Sequence, residues 1–571
     1  MRRLLLKLIG LTAALVAAVL VWVLATLPPA ATRPANSPAP PDLVTGAYHI
    51  HSSRSDGSGS VDDIAAAAER AGLRFVILTD HGDATRAPDP PSYRHGVLVI
   101  DAVEINTRGG HVVALNLHGA SPYPLAGDVR DVIEDIHRQG GWTVAAHPDS
   151  PRQDLRWRGG AQGLDGLEWF NVDSEWRGHE LPALAAAALR AIFRAPESVA
   201  TLFHGPAPSL ARLDTMSAPH PVFTLAAVDA HARAGQDPDG GSTSRSVAIQ
   251  FPGYTTMFRT MAQTVKLERP LSGEATSDAA AVLGAIGAGR SFSVVRAFID
   301  APAALQFWAS DASGRVDYAG ALPFAGDAVI HAAVPPGSRA RLAMMHDGRE
   351  VASGIDTLDF RVERDGAYRV EARLADRAVP WIVSNVIRIG MAPPMAPLPE
   401  RVSSAMLTPI EPACWTIESD RSSTATIALD RTDVRLRYQL GGGAPAGQYV
   451  ALACGATGAT PVEAIAFTAS SPRPMRVSVQ IRLPGGVNGQ RWQRSVYIDG
   501  SEQRIRVPLA TMEPVEARSL RPIAARIQSF LLVIDTLNAR PGASGDVVFR
   551  DLDFVAAGQS SRPSGDGRVR F

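Results

Sequence analysis

Phe75-Val-Ile-Leu-Thr-Asp-His81 is four apolar residues in a row followed by a hydroxyl, a carboxylate and an imidazole. A short unbroken apolar run reads as a strand buried on both faces, and polar groups just beyond it mark a candidate site. Immediately upstream, Ser60 and Asp63 form a capping box that opens an Ala-rich helix, Val61–Ala71, closed by Gly72. Further back, Tyr48-His49-Ile50-His51 sets two imidazoles two residues apart, on one face if the chain is extended. Downstream, apolar runs predict strands at Val97–Val103, Val112–Leu117, Trp142–Ala145, Gly166–Glu168 and Val222–Ala226. Helices are predicted at Asp128–Gln139 and Leu181–Arg194. Strands alternating with helices predict a βα architecture closed like a barrel.

The histidines are unevenly spread: 12 of 14 fall between His49 and His231. They recur where strands end. Ser55-Asp56-Gly57 follows the first strand, Asp80-His81 the second, and Glu104-Ile105-Asn106 ends the third. Gly110-His111 enters a strand, His147-Pro148 leaves one, and Asp229-Ala230-His231 repeats the two-residue spacing. Strand exits of a βα barrel converge on one face. His49, His51, Asp56, His81, Glu104, His111, His147, Asp229 and His231 are therefore candidate ligands of two or three divalent cations. Mixed imidazole and carboxylate ligation suits Zn²⁺, Mn²⁺ or Fe²⁺ without choosing among them. Asp80 is a candidate to orient a ligand or to cap the next turn. Arg54 and Arg233 adjoin the ligand motifs and are candidates for phosphate oxygens, or are ordinary surface charges in an Arg-rich chain. Glu168-Trp169-Phe170-Asn171 ends a strand and either lines the pocket or packs. His95, His118, His137, His179, His204 and His220 match no ligand motif and read as structural or surface residues.

These motifs, HIHSSRSDG (49–57), TDH (79–81), EINTRGGH (104–111), AHPD (146–149) and DAH (229–231), resemble in order the PHP (polymerase and histidinol phosphatase) family of metal-dependent hydrolases. The resemblance covers roughly residues 46–300. It implies a distorted (β/α)7 barrel with up to three metals at the strand C-terminal ends. It places His49, His51, Glu104 and Asp229 on one metal, Asp56, His81 and His231 on a second, and Glu104, His111 and His147 on a third. The implied chemistry is hydrolysis by a metal-bridged hydroxide, most often of phosphoesters. Residues 290–390, with Trp381 and Asn385, resemble the β-domain of the family's carbaryl-hydrolase-like branch, which implies carboxylic esters, amides or carbamates instead. Residues 400–557 loosely resemble a carbohydrate-binding jelly roll. A non-catalytic glycan- or ligand-binding protein is the reading from a different class.

The rest of the chain fits a soluble body on a tether. It has 571 residues, a formal charge of −1, 46% hydrophobic and 20% charged residues, which excludes a disordered chain and a nucleic-acid binder driven by charge. Arg2, Arg3 and Lys7 precede Leu8–Leu27, 20 residues without a charge, predicting a membrane anchor with the body outside the cytoplasm in the periplasm. Cleavage near Pro28–Ala31 would instead make it a signal peptide and the body secreted. Pro28–Pro41 reads as a stiff, unpacked tether. Period-two alternation at Tyr368–Leu374, Val434–Leu440 and Val477–Leu483 predicts two β-sandwich domains, separated by the Pro-rich linker Met391–Pro399. The expected order is anchor and tether 1–45, α/β catalytic domain 46–296, and all-β domains 297–390 and 400–557. Cys414 and Cys454 either form one disulfide or remain buried thiols. Expected partners are a small-molecule substrate, a membrane through the N-terminal helix and cell-surface glycan through the β-domains.

Overall fold

A computed structural model describes residues 2–33, 40–205, 207–232, 252–301, 304–324, 326–390, 407–430, 433–443, 447–455, 462–484, 489–515, 522 and 527–556. The protein is mixed α/β with much sheet and an apolar N-terminal helix, α1 (Arg2–Ala25). At 1.5 Å per residue its 24 residues reach about 36 Å, against a bilayer core of about 30 Å. Among the described residues it is the one helix long and apolar enough to cross a membrane.

The segment after α1 departs from the expected unpacked tether. Arg194 donates to the Pro28 carbonyl, the Ala31 amide donates to Glu197 Oε1 at 3.0 Å, and Thr32 forms a parallel bridge with Ile299. Extended backbone carries a donor and an acceptor at nearly every residue, and here neighbouring chain satisfies them. Residues 34–39 and the linker Met391–Pro399 lie outside the described residues.

The chain forms two units, Met1–Ala120 with Val132–Met395, and Ser121–Asp131 with Ala396–Phe571. In the first, β1 (Leu43–Tyr48), α2 (Val61–Arg70), β2 (Phe75–Leu78), β3 (Ser92–Arg94) and β4 (Val97–Asp101) come first. β1, β2 and β4 run parallel, and the Ser60/Asp63 capping box opens α2. Then come β5 (Val103–Thr107), β6 (Gly110–Leu115), α3 (Val129–Arg138), β7 (Trp142–Ala145), β8 (Gly166–Asn171), α4 (Val172–Arg177), α5 (Leu181–Ala200), α6 (Ala207–Ser217) and β9 (Phe223–Ala227). β5 to β9 make a second sheet, antiparallel as far as β7 and parallel thereafter. The run expected as one strand, Val97–Val103, is split at Ala102, because β4 pairs with β2 while β5 pairs with β6 in the other sheet. Single bridges, Ile50 to Ala230 and His81 to Glu104, link the sheets at strand ends. One apolar cluster, including Tyr48, Phe75, Ile77, Val113, Val144 and Leu225, is shared by both.

α7 (Tyr254–Thr260), β10 (Ala262–Lys266), α8 (Ala275–Gly287) and β11 (Ser291–Val294) extend the first sheet on the other side of β1. Of the strands that follow, β12 (Gln306–Asp311), β13 (Gly314–Asp317), β15 (Val329–Ala333) and β18 (Thr357–Arg361) form their own antiparallel sheet. The others, β14 (Ala321–Leu322), β16 (Arg341–His346), β17 (Arg349–Ile355), β19 (Gly366–Arg373), β20 (Ile382–Ser384) and β21 (Ile387–Ile389), join the sheet of β1 through the β11–β20 pairing. The sheet thus runs unbroken across the division expected at residue 296. β19 shows the expected alternation but is buried on both faces, since its polar side meets α6. There Arg369 donates to Asp214 at 2.6 and 2.8 Å and to Glu371 at 2.6 Å, so the buried charge is paired. Asn385 donates to Thr224 O and accepts from Thr224 N–H, while Trp381 donates to Ile299 O. Both are structural ties.

In the second unit, two six-stranded sheets enclose an apolar cluster that includes Val434, Leu436, Val477, Val479 and Ile481. Cys414 and Cys454 are disulfide-bonded, with Cα atoms 5.2 Å apart.

Candidate metal centre

The backbone that carries the histidines is bent. β1 stops at Tyr48, and His49 has φ of +66°, so His49 and His51 are not the two residues of one pleat that the sequence implies. Asp229 (φ +49°) and His147 (φ +29°) are likewise left-handed. Non-glycine residues seldom adopt this conformation, and such strain gathers at functional sites. Cross-links hold the bend: the Thr79 amide donates to Ile50 O at 2.8 Å, His51 N–H to Ala230 O at 3.1 Å, and Tyr254 Oη to His51 O at 2.8 Å.

Asp80 fixes the loop that carries Asp56. Its Oδ1 accepts from the Ser52 amide and Ser55 Oγ, and its Oδ2 from Ser52 Oγ, each at 2.7 Å. The turn also requires Gly57, where a Cβ would lie 2.1 Å from His51 O. Gly57→Ala is expected to displace Asp56 and His51 and weaken metal affinity at least about tenfold, read by competition with a chromophoric chelator.

All nine candidate ligands converge, in four overlapping sets. The sets are His51, Asp56, His81 and His231; His49, His147 and Asp229; His49, His51 and Glu104; and His81, Glu104 and His111. Glu104 is central. Its Oε1 lies 2.7 Å from His111 Nδ1 and 2.8 Å from His147 Nε2. Its Oε2 lies 3.2 Å from His49 Nε2, 3.2 Å from His51 Nε2 and 3.4 Å from His81 Nδ1. Asp229 Oδ1 is 3.4 and 3.3 Å from the Nε2 atoms of His49 and His51, and Asp56 Oδ2 is 3.2 Å from His231 Nε2. Ligand atoms bonded to one ion at 2.0–2.2 Å stand about 3–4 Å apart, so the spacing fits shared cations. His51 Nε2, His81 Nδ1 and Asp229 Oδ1 are buried with no hydrogen-bond partner, which fits a metal-ligating role.

The electrostatics point the same way. Burial disfavours the charge on Glu104, yet His81, His49 and His111 hold its pKa well below the carboxylate range. Burial likewise opposes charge on Asp229, and His49, His51 and His231 outweigh it. For His49, burial lowers the pKa, but Asp229, Glu168 and Glu104 raise it further. A divalent cation bound among these groups would take over the counter-charge that the imidazoles supply to the carboxylates.

The strand exit of β8 supplies groups that the sequence marks only as pocket or packing. Glu168, fully buried, meets His49 Nδ1 at 2.5 Å, accepts the His147 amide at 2.7 Å and accepts Asn171 Nδ2 at 3.0 Å. Asn171 also donates to Asp229 Oδ2 at 3.1 Å. Backbone carbonyls of Leu155 and Asp229 take the Nδ1 protons of His147 and His231, at 3.2 and 3.0 Å. Each contact turns an Nε2 lone pair toward the site.

No protein-family model matches the chain. An uncharacterised protein of Methanocaldococcus jannaschii is 33% identical over 113 residues, 19% of this chain. The chain spans 65% of the length of that curated relative. Among solved structures, a two-domain protein of Bacteroides vulgatus containing a predicted PHP-like metal-dependent phosphoesterase is 14% identical, with a TM-score of 0.27. That likeness covers 60% of this chain and 95% of the other. A family 11 carbohydrate-binding module of Clostridium thermocellum is 15% identical, with a TM-score of 0.23, over 27% of this chain and 97% of its own. Scores this low leave the side chains to carry the functional reading.

The expected phosphate-binding arginines fare differently from the ligands. Arg54 is engaged by Asp89 and, at 3.4 Å, by Asp101, which Arg86 also holds at 2.7 Å. Arg233 lies outside the described residues. A guanidinium the sequence does not single out, Arg177 on α4, pairs with Asp173. Burial works against its charge, and the carboxylates of Asp173, Asp229 and Asp56 raise its pKa.

A cavity of about 320 Å³ opens beside His147 and Glu168, walled by Trp169, Phe170, Glu175 and His204. His204 is exposed, as expected of a surface residue, and stacks on His179 at 4.3 Å beside the cavity. Burial pushes the Glu175 carboxyl up to about 7, against the His204 amide that it accepts. A carboxyl raised from 4.5 favours its protonated form when folded, so it costs stability progressively between pH 4.5 and about 7 and fully above that. Glu175→Gln is expected to be more stable than the parent at pH 8 by about 1–3 kcal/mol and equal to it at pH 4, in denaturant titrations.

Proposed function

We propose that the chain is a PHP-type metal-dependent hydrolase acting on phosphoesters, held outside the cytoplasm by α1. The observation that carries this reading is the convergence of four overlapping ligand sets, two of which share the carboxylate of Glu104. Divalent cations bound there supply Lewis acidity and lower the pKa of water, which suits attack on a phosphoryl or carbonyl centre. The protein's own groups set the stage. Glu104 joins two of the sets, Glu168 and the two carbonyls hold the imidazoles, and Asp80 positions the loop of Asp56. The neighbouring cavity receives the remainder of the substrate. The two sheets linked by the Ile50–Ala230 and His81–Glu104 bridges support the distorted-barrel reading, and the paired six-stranded sheets support a C-terminal sandwich. The disulfide suits an oxidising compartment.

The test is turnover by full-length, metal-loaded protein of aryl phosphomonoesters, phosphodiesters, carboxylic esters and carbamates. Phosphoester hydrolysis that a chelator abolishes and added metal restores is the expected result. Cleavage of esters or carbamates alone would replace the phosphoester reading. No turnover of any of them at full metal content would point to a binding protein.

A further inference from the structure

We infer that α5 is an interfacial helix that lays the body of the protein on the lipid bilayer. This rests on the reading of α1 as a membrane anchor. The solvent face of α5 is a continuous apolar stripe: Leu181, Ala185, Ala188, Leu189, Ile192 and Phe193 are all exposed. Leu181 is 81% exposed, Ile192 74% and Phe193 49%. Single exposed leucines are ordinary, but a stripe at helical spacing on one surface helix marks a contact surface.

What covers it follows from the chain itself. α1 touches α5, and Val23 near the end of α1 is buried. Three residues beyond α1, the Pro28 carbonyl is held by Arg194, and Ala31 is held by Glu197. Three residues span at most about 11 Å, so the guanidinium of Arg194, near the end of α5, sits close to the point where α1 leaves the membrane. Arg190 and Arg194 are the charges between Leu181 and Ala195, with no acid among them, a pattern suited to anionic lipid headgroups. The helix breaks at Arg194, ahead of Pro196, whose ring cannot continue the hydrogen-bond ladder. Glu175 and Gly178 before α5 and His204, Gly205, Pro208 and Ser209 after it wall the cavity, so a docked α5 sets that cavity beside the lipid headgroups.

The chain's two cysteines are bonded to each other, so one introduced cysteine labels a single site. Full-length Ile192→Cys, carrying an environment-sensitive fluorophore, is reconstituted into phosphatidylethanolamine and phosphatidylglycerol vesicles. Glu363→Cys, exposed in the loop after β18, serves as control. The Ile192 label is expected to be quenched several-fold more strongly than the control by lipid-borne nitroxide and several-fold less by iodide. Iodide quenching equal to the control would overturn the inference. So would shielding from both quenchers, which would assign the stripe to a second copy or a protein partner. Mass spectrometry of the same preparation separates the two readings. Lipid contact in protein that has lost α1 would sink the anchor and keep the docking helix, whereas a water-exposed label with α1 present would do the reverse.

Discussion

Glu104→Gln is expected to lower turnover on the order of 10³-fold or more, because it removes the carboxylate shared by two of the four ligand sets and lying within 3.4 Å of nitrogens of five histidines. Glutamine keeps the shape but turns an amide NH₂ toward either His111 and His147 or His49, His51 and His81. An NH₂ cannot bind a cation, so metal content should fall along with rate. The fold should survive, since the apolar cluster beneath the site does not include Glu104. Steady-state kinetics, metal analysis and circular dichroism on one preparation test this. Activity within tenfold of the parent would remove Glu104 from the centre of the account.

The second large effect is expected one layer out. Glu168→Gln should cost roughly 10–100-fold in metal affinity or activity, although Glu168 stands behind His49 and not among the ligand sets. Its two oxygens accept from three groups, the His49 ring, the His147 amide and the Asn171 amide. Glutamine has one acceptor oxygen, so His49 or the His147 amide must face an NH₂. If Glu168 only filled space, metal titration curves of Glu168→Gln and the parent would superimpose.

The ligands were legible in the sequence because metal chemistry restricts residue type, and because polar residues after apolar runs stand out. The path by which they meet was not. His49 and Asp229 reach the site through left-handed backbone, which residues without glycine's freedom do not advertise. Glu168 was harder to read, since one carboxylate inside a buried strand looks the same whether it orients a ligand or pairs with a cation. The strand break at Ala102 hid within one apolar run, and the ion pairs of β19 hid within an alternation that normally means one wet face. The packing of Thr32 on Ile299 depends on a partner 267 residues away, beyond any local pattern. Arg54 illustrates the converse, since adjacency to a ligand motif did not keep it from Asp89 and Asp101.

The central claim is that these side chains share cations, and anomalous diffraction from crystals of the metal-loaded protein tests it most directly. The account predicts two or three peaks, each within about 2.0–2.3 Å of atoms from the four sets, with Glu104 touching more than one. Crystals grown with excess Mn²⁺ or Zn²⁺ that show no peak among these nine residues would contradict it.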